Sequence, residues 1–307
     1  MQALEPKQIT AHITKCHTLQ QLQKLVQLYG SCMNNINLAA AFKQLNVLDK
    51  QADSRAHDIC SVLDQLCELT QQQHGLFQAR ELANVILAVG QLQKSTVSAA
   101  DQHAGSTGPQ YNTMVMQCLL PAFMQQLSAA NAQDVSMVLY SVANAGQSLS
   151  AEQVQQLLDR LLQTSSVAQP QAVSNSVWAV ARMGRRPTGQ QLQQLLDVFV
   201  TKMSATSSQG ISNVLWAVAT MGEKLPAQQV HQLVDALVSK GQQASPQAIS
   251  NTLWAVATLG MKLPVNQLQQ LLDAFAGKLQ QAAPQNIKDT LWAVATMGQP
   301  LQRRQLS

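Results

Sequence analysis

Along most of the chain the apolar residues fall three and four apart, the mark of helices with one buried side. In TLQQLQKLVQLYG (18–30) they are Leu19, Leu22, Leu25, Val26 and Tyr29, and Gly30 closes the segment. In AEQVQQLLDRLLQ (151–163) Val154, Leu157, Leu158, Leu161 and Leu162 share one side. Gln156 and Asp159 take the other. A third pattern, ISNTLWAVATLG (249–260), splits into an apolar side of Ile249, Leu253 and Val256, alanine flanks at Ala255 and Ala257, and a stripe of Gln247, Ser250, Asn251, Trp254 and Thr258.

That third pattern recurs as VSNSVWAVARMG from Val173, ISNVLWAVATMG from Ile211 and IKDTLWAVATMG from Ile287. Trp178, Trp216, Trp254 and Trp292 are spaced 38 residues apart, and one further step back reaches Tyr140 in VSMVLYSVANAG. A fixed period of this length belongs to stacked supersecondary units, each too small to bury its apolar face alone. The pattern predicts an all-α fold, an α-solenoid, in which 38-residue helix-turn-helix repeats build a right-handed superhelix. First helices are expected over 150–164, 188–203, 226–241 and 264–280, and second helices over 169–183, 207–221, 245–259 and 283–297. Pro226 and Pro264 suit first turns. Gly184, Gly222, Gly260 and Gly298 suit left-handed helix ends.

Residues 1–146 are expected to hold degenerate repeats: a lead-in helix over 1–16, hairpins of 18–30 with 35–45 and of 57–69 with 79–92, and a third hairpin kinked at Pro121. The polar, glycine-bearing stretch 94–108 reads as an inserted surface loop and accounts for the 53-residue step from Leu87 to Tyr140. Regular repeats occupy 147–298, and 299–307 is an unstructured tail or the start of a missing segment. No polar capping helix follows the last tryptophan, so a fragment or a covering piece is expected there.

The second-helix stripe has two readings. The tryptophans can pack between repeats while the asparagines bond backbone across the stack. Alternatively, Asn175, Asn213 and Asn251 offer hydrogen-bonding edges, Trp178, Trp216, Trp254 and Trp292 offer stacking surface, and Arg182, Thr220 and Thr258 vary from repeat to repeat as a base code requires. Both hold together if the rings are half buried. The smaller flanks of the second helices place that layer on the concave face. Two basic columns share the period: Lys202, Lys240 and Lys278 at first-helix ends, and Arg186, Lys224 and Lys262 in the loops. Each column serves either helix-end electrostatics or phosphate contacts. An aspartate column, Asp159, Asp197, Asp235 and Asp273, is expected to bridge adjacent repeats.

Composition narrows the classes. The chain is 46% hydrophobic and 12% charged, with glutamine at many helix-surface positions, so it can bury a core. No apolar run reaches the roughly 18 residues of a membrane span. Residues 1–146 carry 8 Lys/Arg against 9 Asp/Glu, while 147–307 carry 12 against 7, so the regular repeats hold the positive charge. That suits a polyanion. Five cysteines without a CxxC pair argue for a reducing compartment and against structural zinc or a disulfide framework. The N-terminus shows no secretory core, carries Glu5 and has no arginine before Arg55, which is poor material for a transit peptide. The histidines share no ligand spacing, and no phosphate loop, HExxH or nucleophile elbow occurs. No catalytic constellation, metal site or cofactor is expected.

The strings Pro246–Gln247 with 249–260, Pro284–Gln285 with 287–298 and Pro170–Gln171 with 173–184 resemble the octotricopeptide repeat family, whose PPR-like hairpins carry a PQ–x–LANTLWALAKLG type of second helix. MNNINLAAAFKQL from Met33 is similar to the family's common opening segment. Within the repeats Tyr140 and Met137 replace Trp and Asn, and Asp289 replaces Asn. The resemblance is strong over 134–298 and weaker back to residue 18. It implies a sequence-selective adaptor for single-stranded organelle mRNA, in chloroplast or mitochondrion. Such an adaptor acts in transcript stability, processing, splicing or translation, together with other proteins of a ribonucleoprotein complex. The competing expectation is a protein-interaction scaffold, since helical solenoids also hold peptides. An enzyme is the remotest reading.

Overall fold

A computed structural model describes residues 4–51, 56–100 and 108–298; among them every regular element is helical and no strand occurs. The chain divides into two compact units at Ser148/Leu149. The first contains α1 (Pro6–Thr14), α2 (Leu19–Tyr29), α3 (Asn35–Gln51), α4 (Ala56–Gln73), α5 (Ala79–Ala100), α6 (Gly108–Met114), α7 (Leu120–Gln125) and α8 (Ala132–Asn144). The second contains α9 (Ala151–Gln163), α10 (Pro170–Arg182), α11 (Gly189–Thr201), α12 (Ser208–Met221), α13 (Ala227–Val238), α14 (Pro246–Thr258), α15 (Val265–Ala276) and α16 (Pro284–Met297). No described helix is long and apolar enough to cross a membrane.

Helix α5 continues through residues 94–100, where a loop was expected. KSTVSAA contains neither glycine nor proline, so nothing in it stops a helix already under way. The rest of that stretch, 101–107, lies outside the described residues, as does the tail 299–307. Pro121 does not produce a simple kink. A π-helical turn, Val115–Leu119, precedes it, and the Leu120 N–H reaches back to the Val115 carbonyl. The wider turn accommodates the residue that lacks an N–H.

In the second unit each first helix buries the predicted side. Val154, Leu157, Leu158 and Leu161 are at most 1% exposed, whereas Asp159 and Gln156 face water. The chain leaves every regular second helix through a left-handed glycine, φ +67° at Gly184, +70° at Gly222, +69° at Gly260 and +61° at Gly298, a conformation that costs other residues about 1 kcal/mol or more. The prolines sit one residue earlier than expected, at the N-caps of α13 and α15. This position has a consequence for the neighbouring glutamines. Ser150 and Thr188 close capping boxes in which their N–H groups donate to Gln153 Oε1 at 2.9 Å and Gln191 Oε1 at 3.0 Å. Pro226 and Pro264 have no N–H to give, and the matching Gln229 and Gln267 Oε1 atoms are buried without a partner.

Second helices pack side by side, α10 on α12, α12 on α14 and α14 on α16, over far larger seams than the first helices share. The flanking alanines make this possible. Ala179, Ala217, Ala255 and Ala293 are fully buried, and Ala181, Ala219 and Ala257 are at most 5% exposed. On α16, Ala295 is exposed while Ala293 is buried. The first alanine therefore faces the preceding helix and the second faces the following one. At Gly210 an added Cβ would lie 2.8 Å from Thr206 Cγ2, four residues earlier in the chain, and 3.3 Å from Ser174 Oγ across the seam. The equivalent pairs, Ala168 with Ala172 and Ala244 with Ala248, accommodate a Cβ because no threonine opposes it. Gly210→Ala is therefore expected to destabilise by about 1–3 kcal/mol through overpacking despite its better helix propensity. Adding Thr206→Ala should recover most of that loss in a urea-unfolding double-mutant cycle.

Candidate nucleic-acid interface

Of the stripe predicted on the second helices, the tryptophans form one row in the second unit, whereas Ser250 is fully buried and its Oγ donates to the Gln247 carbonyl at 3.1 Å. The row is an indole ladder. Ring centroids are 6.3 Å apart for Trp178 and Trp216, 6.5 Å for Trp216 and Trp254, and 6.4 Å for Trp254 and Trp292, with planes tilted 38°, 32° and 35°. Alanine seams bring the helices close enough for successive rings to touch, and the 38-residue register keeps them in line. Trp178, Trp216 and Trp254 are half-buried, and Trp292, which has no ring beyond it among the described residues, is 45% exposed. Each ring packs on its neighbours and also presents an uncovered part to water.

Polar groups flank the ladder. Asn213 is 7% exposed and its Oδ1 accepts from Gln209 Nε2 at 2.9 Å, one turn back on the same helix. The same geometry ties Gln285 to Asp289 at 2.7 Å in the last repeat. Asn175 and Asn251 are half-buried, and their side-chain amides have no hydrogen-bond partner among the described residues. The asparagines of the regular repeats therefore do not bond backbone across the stack. Asn37 in the first unit does, donating to the Pro6 carbonyl at 2.8 Å and to Thr10 Oγ1 at 2.7 Å. Arg182, Thr220 and Thr258 are exposed at the far end of the stripe, and the Arg182 guanidinium lies 5.6 Å from the Trp178 ring centroid, a cation–π contact.

The two basic columns differ. Lys202 Nζ donates to the carbonyls of Ser165 and Ser166 at 3.0 Å and of Ala168 at 2.6 Å, in the turn of the preceding hairpin. Lys278 does the same to Gln242 and Ala244 at 2.7 and 2.6 Å, and Lys240 reaches Ser204 at 3.2 Å. An ammonium has three protons, so Lys202 has none left for a phosphate. In the first unit glutamine performs this role: Gln73 Nε2 donates to the Met33 carbonyl at 3.1 Å and Gln126 Nε2 to the Phe77 carbonyl at 2.7 Å. The staple needs a long donor rather than a charge. Arg186, Lys224 and Lys262, by contrast, are exposed, and their side chains have no partner among the described residues.

The aspartate column bridges hairpins at Asp159 and Asp235. Asp159 accepts from Gln191 Nε2 at 2.7 Å, and Asp235 accepts from Gln267 Nε2. Asp197 and Asp273 also accept from Gln193 and Gln269 on their own helices, at 2.8 and 3.0 Å. The sequence signal that names the partners is a glutamine column, Gln191, Gln229 and Gln267, at the same period. The Lys202 staple also had such a signal, since Gln126 stands two periods before it. Arg185 Nε donating to the Leu149 carbonyl at 2.7 Å had none, because Glu223 and Met261 take its place in later repeats.

Elsewhere, no group of three or more His, Cys, Asp or Glu among the described residues is placed to hold a metal ion. The five cysteines are free thiols, and burial beside Asp64 and Glu68 pushes the Cys67 thiol well above its usual range. No protein-family model and no curated protein matches the chain.

Two outcomes follow from this geometry. Lys202→Gln should leave the unfolding midpoint nearly unchanged, whereas Lys202→Ala should cost about 1–2 kcal/mol by leaving carbonyls unbonded. Trp254→Ala, which removes two ring contacts, should cost roughly 2–3 kcal/mol, about twice the effect of Trp292→Ala in the same chemical unfolding assay.

Proposed function

We propose that the chain binds single-stranded RNA, one base per regular hairpin, along the second-helix stripe. The hairpins form a right-handed α-solenoid of 38-residue units with this layer on the concave face. The observation that carries the reading is the partly exposed indole ladder flanked by the unbonded amides of Asn175 and Asn251. Its step of 6.3–6.5 Å is roughly twice the about 3.4 Å rise of stacked bases. Bases that engage successive indoles must therefore be unstacked from one another, the state in which a single strand exposes its edges.

In this arrangement Trp178, Trp216, Trp254 and Trp292 supply stacking surface and Asn175 and Asn251 supply edge hydrogen bonds, whereas Asn213 is buried with its Oδ1 held by Gln209. Arg182, Thr220 and Thr258 differ between repeats and so distinguish bases. Phosphates fall to Arg186, Lys224 and Lys262, while Lys202, Lys240 and Lys278 hold hairpins together. The surplus positive charge of 147–307 supports the same partner. The resemblance to octotricopeptide repeats adds the setting: an adaptor that acts by occupying an organelle transcript, in chloroplast or mitochondrion. It governs stability, processing, splicing or translation alongside other proteins of the complex.

Replacing Arg186, Lys224 and Lys262 together by glutamine should weaken binding to every RNA sequence. It should also flatten the slope of log affinity against log salt by about 2, at about 0.7 per single-strand phosphate contact. Filter binding across a salt series measures both. Affinity that is indifferent to salt, with the triple variant equal to the parent, contradicts the assignment.

A further inference from the structure

In the first unit the ladder position holds an aromatic ring at Tyr140 on α8, but none on α3 or α5. Aligned by their asparagines, Asn37 and Asn84 with Asn251, helices α3 and α5 carry Ala40 and Leu87 at the tryptophan position. A groove of about 590 Å³ opens between the two helices where indoles would otherwise lie, within the range of about 300–1,000 Å³ typical of small-molecule sites. Ala40, Leu87 and Ala88 line its apolar part, and Val47 stands 38% exposed at its edge.

Three cations, Lys43, Lys50 and Arg80, also line the groove and are exposed. Glu81 is the one carboxylate among the lining residues, and the three cations outnumber it. Glu81 Oε2 accepts from Asn35 Nδ2 at 2.6 Å and from the Gln78 N–H at 2.9 Å. Asn46 also lines the groove and is only 9% exposed. Its Nδ2 donates to Gln91 Oε1 at 2.9 Å, but its Oδ1 is buried with no donor. A buried acceptor left unpaired is costly and calls for a donor.

We infer that the α3/α5 groove is a pocket for one nucleobase and its phosphate. The flat ring takes the place of the absent indoles on Ala40 and Leu87, and a base N–H donates to Asn46 Oδ1. The phosphate is met by Lys43, Lys50 and Arg80. The ligand class follows from the combination: an aliphatic guest leaves Asn46 unpaired, and an aromatic protein side chain gives the three cations nothing to bind. The inference rests on the single-strand reading of the chain but concerns a separate site in the other unit.

The test uses the full chain at low salt, titrated with nucleoside 5′-monophosphates, with ribose 5-phosphate and with a short single-stranded oligoribonucleotide. The parent should bind at least one monophosphate at least tenfold more tightly than ribose 5-phosphate. Leu87→Trp, which rebuilds the ladder residue inside the groove, should lower that affinity at least tenfold while the melting temperature is kept. Ala40→Trp serves as the second filling variant, and Asn46→Leu should weaken binding severalfold. The pocket is overturned if the parent takes up no monophosphate, or if both filling variants fold and bind as the parent does. Oligonucleotide binding that both filling variants leave untouched, with no monophosphate uptake, removes the pocket and keeps the strand reading. Monophosphate uptake that the filling variants abolish, without oligonucleotide binding, keeps the pocket and removes the strand reading. Absence of both removes both.

Discussion

Close contact between successive second helices is the constraint on which the second unit depends. It requires a small side chain on each flank, and Ala179, Ala217, Ala255 and Ala293 on one side with Ala181, Ala219 and Ala257 on the other meet that need. Each buried methyl contributes little by itself, since dispersion gains are small per contact and large only in sum. Their effect is geometric: they set a helix separation short enough for indoles one repeat apart to touch. The ladder, the flanking amides and the row of exposed loop cations all inherit their register from that seam.

The same constraint explains why the two units offer different surfaces. Where the ring position holds tryptophan, the space above the seam is filled and a half-exposed aromatic row results. Where it holds Ala40 and Leu87, the same packing leaves an open groove. The hairpins are held together on their other side by side-chain donors aimed at turn carbonyls. Glutamine serves in the first unit, and lysine serves at three successive positions in the second. Much of the positive charge of the regular repeats is thus engaged internally, and Arg186, Lys224 and Lys262 become the sharper candidates for an anionic partner.

Much of this was legible in the sequence because a repeat states each rule several times. The glycines that end second helices, the buried side of Val154 and Leu157, and the shared face of Trp and Asn all follow from period and spacing alone. What was not legible depended on groups that sequence patterns do not record. The loop expected over 94–108 began as helix because a helix under way needs a stop signal, and polarity is not one. The lysine column pointed to helix ends or phosphates, yet its partners are carbonyls 34–37 residues back, a distance set by tertiary stacking. Proline at the N-caps of α13 and α15 looked favourable by rule, but it withdraws the N–H that Gln229 and Gln267 need. The groove could not be anticipated either, since an absent side chain leaves a pocket only when the neighbouring helices fail to close over it.

All four tryptophans of the chain belong to the ladder, so intrinsic tryptophan fluorescence reports on the proposed interface and on nothing else. Titration with short single-stranded RNA at low salt tests the central claim most directly. The account predicts saturable quenching as bases stack on the indoles, reversed by added salt. It also predicts a much weaker response to duplex RNA of the same sequence, whose bases cannot unstack. Emission that stays unchanged while a labelled strand is seen to bind, or equal quenching by duplex, contradicts the assignment of the ladder to base stacking.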